Sequence, residues 1–92
     1  MIIRIMGEGQ FLVNSSLFDT LNALDNRIVE HVQKGDEPEY RKLLAELIGA
    51  IEREGKPVDD TMLVESDIIV PPANMTLAEA RAVFTGTGIF EG

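Results

Sequence analysis

Apolar positions fall along this chain in two rhythms, a strand-like alternation and a helical three- and four-residue spacing. Ile2 to Met6 is a short apolar run rich in β-branched side chains, Gly7-Glu8-Gly9 is turn material, and Gln10 to Val13 is apolar again. Two such runs joined by a glycine-containing turn predict a β-hairpin. In it Ile3 and Ile5 point to one face and Arg4 to the other. From Leu17 the rhythm lengthens: Leu17, Leu21, Leu24, Ile28 and Val32 recur at three- and four-residue steps, and Phe18 and Val29 widen the stripe. That is an amphipathic helix, with Asn14-Ser15-Ser16 as N-cap chemistry and Gly35 as its stop.

A second helix starts at Asp36, with Glu39 at capping-box spacing and Pro38 tolerable in its first turn. Its stripe is Tyr40, Leu43, Leu44, Leu47, Ile48 and Ile51, and Gly55 and Pro57 end it. The short link makes the two helices an antiparallel hairpin. Residues 56–74 read as irregular apart from a β-like run at Ile68-Ile69-Val70, which Pro71-Pro72 ends because neither proline can donate to a ladder. Thr76-Leu-Ala-Glu79 is a capping box opening a short helix with Leu77, Ala80, Val83 and Phe84. Thr85-Gly-Thr-Gly88 breaks that helix, and Ile89-Phe90 is a last apolar pair that needs cover from the body of the fold. The expected fold is one α+β domain, order β-β-α-α-β-α: a small antiparallel-type sheet with helices packed on one face.

Composition narrows the function classes. At 92 residues with 45 % hydrophobic content the chain fits a single domain with a modest core. Sixteen acidic against eight basic residues give −8, the wrong sign for a phosphate backbone or an anionic bilayer. Most of that charge lies past residue 35. With no cysteine, disulfides and thiolate chemistry are excluded. No run approaches the roughly 18 apolar residues of a membrane span, and the first apolar run is too short for a signal-peptide core. The expectation is a cytoplasmic protein without an anchor of its own.

Candidate chemistry is thin. His31, the single histidine, lies at the edge of an apolar stripe with no second ligand or nucleophile in a recognisable spacing. Asp59, Asp60, Glu65 and Asp67 gather carboxylates but lack the spacing of a calcium loop, so they read as a solvated acidic loop. Gly7-Glu8-Gly9 and Gly86-Thr87-Gly88 do not sit between a strand and a helix as a phosphate loop requires, and read as turns. No cofactor or metal set emerges, and the expectation is a protein that is not an enzyme. The larger apolar anchors are Phe11, Tyr40, Phe84, Ile89 and Phe90; any exposed remnant of them would mark a protein partner.

Met1-Ile-Ile-Arg-Ile-Met-Gly-Glu-Gly-Gln-Phe11 resembles the opening of the PspA-associated domain family, PspAA. Glu65-Ser-Asp-Ile-Ile-Val-Pro-Pro72, with Thr76-Leu-Ala-Glu79 and Gly88-Ile-Phe90, resembles its closing half. The likeness covers the whole chain, although Asn74 stands where the family favours an acidic residue. It implies a companion of a phage-shock protein A-like helical protein in the envelope stress response, acting by protein contact, with any approach to the inner membrane made through that partner. The contact residues expected on this reading are Glu8, Gln10 and Phe11 on the hairpin and Ser66, Asp67, Pro71 and Pro72 near the third strand. Turns and polar residues held beside apolar strands make recognition surfaces, but the same residues also serve as turns and caps, Ser66 or Asp67 bonding local backbone amides. A different class is a small acidic inhibitor or antitoxin-like protein that masks a basic surface on an enzyme or nucleic-acid-binding partner.

Overall fold

A four-stranded sheet carries a helical hairpin on one face. The computed structural model describes residues 1–59, 61, 62, 64–86 and 88–90. Strands β1 (Ile2–Ile5) and β2 (Gly9–Leu12) form the predicted hairpin, followed by α1 (Phe18–Lys34), α2 (Glu37–Glu54), β3 (Lys56–Pro57), β4 (Ile68–Val70) and α3 (Leu77–Val83). The strand order is β3-β2-β1-β4.

Two expectations about the sheet are corrected. It is mixed rather than antiparallel: β4 runs parallel to β1, with Ile3 opposite Ile68 and Ile5 opposite Val70. Second, the segment read as irregular contains β3, which pairs antiparallel with β2 through Phe11–Pro57 and Leu12–Lys56. A two-residue strand ending in proline has no periodicity to detect; it forms because α2 delivers Gly55 against Phe11 and Val13. A Cβ at Gly55 would stand 2.6 Å from the Ile51 carbonyl oxygen and 3.2 Å from both side chains.

The period-2 reading of the hairpin holds. Ile3, Ile5, Val13 and Val70 are buried on the helix side and Arg4 is exposed on the other. From α1 the core takes Leu21, Ile28, Val29 and Val32, and from α2 Tyr40, Leu43, Leu44, Leu47, Ile48 and Ile51, the stripes anticipated above. Leu17 and Leu24 are only half-buried.

Caps follow local chemistry with one difference. Asn14 Oδ1 accepts from the Ser16 N–H at 2.9 Å, but it caps a 3-10 turn at Ser15–Leu17, and α1 begins after it without a side-chain cap. Gly35 ends α1 in the left-handed region at φ +72°, which glycine enters without a Cβ penalty. Asp36 Oδ1 accepts from the Glu39 N–H at 3.4 Å. Thr76 and Glu79 complete both halves of a capping box, and those bonds from Thr76 hold the Glu79 carboxyl below its ordinary value.

Helices of 17 and 18 residues are roughly 26 Å long, whereas four-residue strands span roughly 13 Å. The hairpin therefore overhangs the sheet, and α3 covers the overhang. Tyr40 donates its hydroxyl to the Met75 carbonyl oxygen at 2.8 Å, and its ring meets Phe84 edge-on with centroids 6.4 Å apart. Both aromatic residues are buried. Tyr40→Phe leaves that carbonyl unpaired in a buried site, and a loss of about 1–2 kcal/mol is expected. Urea denaturation checks it, with an unchanged slope showing that the fold is retained.

Candidate interaction surfaces

The seven residues singled out from the sequence do not form one surface. They divide among three tasks. Gln10 lies on the sheet face away from the helices yet is nearly buried, because the chain between β3 and β4 crosses over it. Its Nε2 donates to the Val64 carbonyl oxygen at 3.1 Å and to Ser66 Oγ at 2.7 Å. The next residue closes the crossing: Asp67 Oδ2 accepts from the Ile2 N–H at 2.8 Å, and the Asp67 N–H donates to the Ile2 carbonyl oxygen at 2.8 Å. Gln10 and Ser66 are thus brought together, and Asp67 sets the register of β4 on β1.

Phe11 points the other way, half-buried against the core. Pro71 is buried, and the Pro72 carbonyl accepts from the Met75 N–H at 3.1 Å in the turn before α3. Glu8 is exposed at the hairpin tip and faces Glu52 of α2. A hydrogen bond between the two carboxyl groups, with like charge adding to it, raises the Glu8 carboxyl above its ordinary value.

Of the aromatic anchors, Tyr40, Phe84 and Phe90 are fully inside. Among the described residues the exposed large apolar side chains are Met6, Leu12, Met62, Ile69 and Val83. Leu12 and Ile69 stand on the solvent face of the sheet, with Met6 at its end. Leu12 lies opposite Ile2 and Lys56, and Ile69 opposite Arg4. About half of each of these three residues is in water, 48–55 % by area, with exposed Arg4 and the crossing over Gln10 between them on the same face. The crossing chain borders the face with the exposed acids Asp59, Glu65 and Asp67. Thr61 donates to Asp59 from both its N–H and its hydroxyl, which lowers the Asp59 carboxyl. Asp60 of the acidic quartet and Thr87 of the last glycine turn lie outside the described residues.

Sequence reasoning missed Asp25. It is fully buried on α1 and accepts from the Ile89 N–H (3.2 Å) and the Phe90 N–H (2.8 Å), so it fastens the segment after α3 along α1. Burial raises its carboxyl, partly offset by the bonds from Phe90 and Ile89. A Cβ on Gly88 would collide with both Asp25 oxygens, and Gly88 holds φ +86°. The signal was present in the sequence, since Asp25 sits four residues after Leu21 and three before Ile28, an acid on an apolar stripe.

His31 Nδ1 is buried and 3.3 Å from Asp36 Oδ2, without the angle of a hydrogen bond. Among the described residues no three histidine, cysteine or acidic side chains converge to hold a metal ion, and no helix is long and apolar enough to cross a membrane. A shallow hollow of about 340 Å3 beside Gln33, Arg81 and Phe84 and a groove of about 580 Å3 between α1 and α2 are the other concave features described.

No curated protein and no solved structure matches this chain. A family model does: the one described as PspA-Associated protein, PspAA, matches residues 1–92. Its span takes in the hairpin, the crossing chain clasped by Gln10 and Asp67, and the Gly88-Ile-Phe90 segment held by Asp25; the chain belongs to the PspA-associated protein family.

Proposed function

We propose that the chain is a non-enzymatic contact module that docks on a PspA-type helical protein and thereby regulates or scaffolds a phage-shock membrane-stress response. The observation that carries this reading is the family match over the whole chain, and the exposed Met6, Leu12 and Ile69 on one sheet face supply a surface for it. On that face the apolar side chains stand among the exposed cations Arg4, opposite Ile69, and Lys56, opposite Leu12, and apolar contact combined with charge is usual in a protein interface. The acids come from the crossing chain, Asp59, Glu65 and Asp67, and the chain as a whole carries −8. A helical partner that binds anionic lipid carries a basic face, so the module competes with the membrane for that face and stays on the cytoplasmic side without entering the bilayer.

The test is co-elution of the full chain with the PspA-type protein of the same genome, at low and physiological salt, with and without anionic vesicles. A complex that weakens with salt and is displaced by vesicles is expected. Ile69→Asp is expected to lower affinity at least about tenfold while costing about 1 kcal/mol of folding stability, because the side chain is half exposed but lies within β4. Absence of a complex at every salt concentration overturns the reading and leaves an acidic inhibitor of some other basic protein as the alternative to pursue. A complex indifferent to Ile69→Asp moves the docking surface off the sheet, and one indifferent to salt removes the electrostatic part.

A further inference from the structure

The helical layer presents a second unpartnered surface, unrelated to the sheet face. Between α1 and α2 runs the groove of about 580 Å3, its floor made by Leu24, Ala45, Gly49 and Ala50. Gly49 lies in the interior of α2, where glycine is a liability relative to alanine. Apart from the backbone of its own helical turn, none of the described atoms would come within 4 Å of a Cβ there, so the packing of this chain does not ask for a glycine. A helix laid across α2 at that point would, since a missing Cβ lets two backbones approach closely.

Charge identifies the occupant. Lys42, Glu46 and Arg53 are its charged lining residues, with Lys42 one turn before Glu46 on α2. Glu46 and Arg53 stand at equal distances in sequence from the midpoint between Gly49 and Ala50, each about 5 Å from it along the helix axis. Among the described residues Glu46 makes no ion pair, and Arg53 meets only its exposed neighbour Glu54, Nε to Oε1 at 3.6 Å. We propose that the groove takes a second copy of this chain, α2 against α2, antiparallel about a two-fold axis at Gly49–Ala50. A two-fold contact must be self-complementary, with each residue meeting its counterpart's partner. About this axis each Glu46 faces the other copy's Arg53, giving two equivalent ion pairs around a floor of small residues. A parallel pairing would set Glu46 against Glu46 and Arg53 against Arg53. The two helical hairpins then form a four-helix layer, and the sheet faces remain free on the outside.

The experiment is sedimentation equilibrium of the full chain from micromolar to about millimolar concentration, alone and as variants. Wild type is expected to be a reversible dimer. Glu46→Arg and Arg53→Glu each place like charges in opposition twice and are expected to weaken it at least about tenfold. The double variant is expected to recover wild-type association to within about threefold, and the two single variants mixed together to form a heterodimer. Gly49→Leu is expected to abolish the dimer while the thermal midpoint of the monomer stays level or rises, since leucine is the better helix former. A chain that stays monomeric throughout, a dimer indifferent to these changes, or single variants that neither rescue in combination nor pair when mixed would each overturn the proposal.

Discussion

Asp25→Ala is expected to lower the unfolding free energy by about 2–4 kcal/mol. The carboxylate is fully buried and accepts from the Ile89 and Phe90 N–H groups. Alanine leaves both donors without a partner, and the Phe90 N–H is buried, so its desolvation is no longer offset. On a domain whose total stability is about 5–15 kcal/mol the change is severe. Chemical denaturation measures it; a loss below about 0.5 kcal/mol would mean that the last segment does not depend on Asp25.

The same residue has a pH signature with a defined sign. Its carboxyl is raised in the folded state, first by burial. Its contribution to stability is therefore fully present below the unfolded value, near 3.9, and is lost as pH rises through the raised folded value. Asp25→Asn removes that dependence, so the difference in stability between wild type and this variant is expected to change across that window and to be flat above it. Asparagine retains one acceptor oxygen where the two N–H groups use two, so Asp25→Asn is also expected to be less stable than wild type at neutral pH.

Phe90→Ala has the largest expected effect, about 3–5 kcal/mol. Phe90 is fully buried and meets Phe18 edge-on, with ring centroids 6.0 Å apart. Truncation removes the transfer energy of the ring and leaves a cavity at the N-terminal end of α1, beside the Asp25 bonds. Phe90 and Asp25 act on one segment, so their losses should not add: a double variant less destabilised than the sum is the expected outcome of a mutant cycle. Full additivity would separate the ring from the carboxylate. Ile69→Asp carries a much smaller stability expectation, although both residues are large and apolar. One is sealed against α1, and the other lies half in water.

Local chemistry accounts for how much of the fold was legible. The hairpin alternation at Ile3, Arg4 and Ile5, the two helical stripes, the Gly35 stop and the Thr76–Glu79 box are each specified by neighbours within four residues, and each appears as read. The direction of β4 was not legible. Ile68-Ile69-Val70 satisfies a parallel or an antiparallel ladder equally, and the choice rests on Asp67 meeting Ile2, sixty-five residues away. β3 was invisible for a similar reason: Lys56-Pro57 acquires strand geometry only from pairing with Leu12 and Phe11.

The candidate contact residues show the same division. Gln10, Ser66 and Asp67 are polar side chains beside apolar strands, and sequence alone leaves them open to recognition or to internal bonding. In the structure all three are used in bonds that tie the chain before β4 to the hairpin, Gln10 to Val64 and Ser66 and Asp67 to Ile2, while Met6, Leu12 and Ile69 reach water.

By itself the sequence determined the period of each element, its caps and stops, the acidic balance and the likeness to the PspA-associated family, all of which depend on residue type and near spacing. Only the tertiary structure decided the sheet order, the burial of Asp25 against the Gly88–Phe90 backbone, and which apolar side chains reach water. Those outcomes depend on which distant segments meet, and the cost of closing long loops is met only once the whole core has formed.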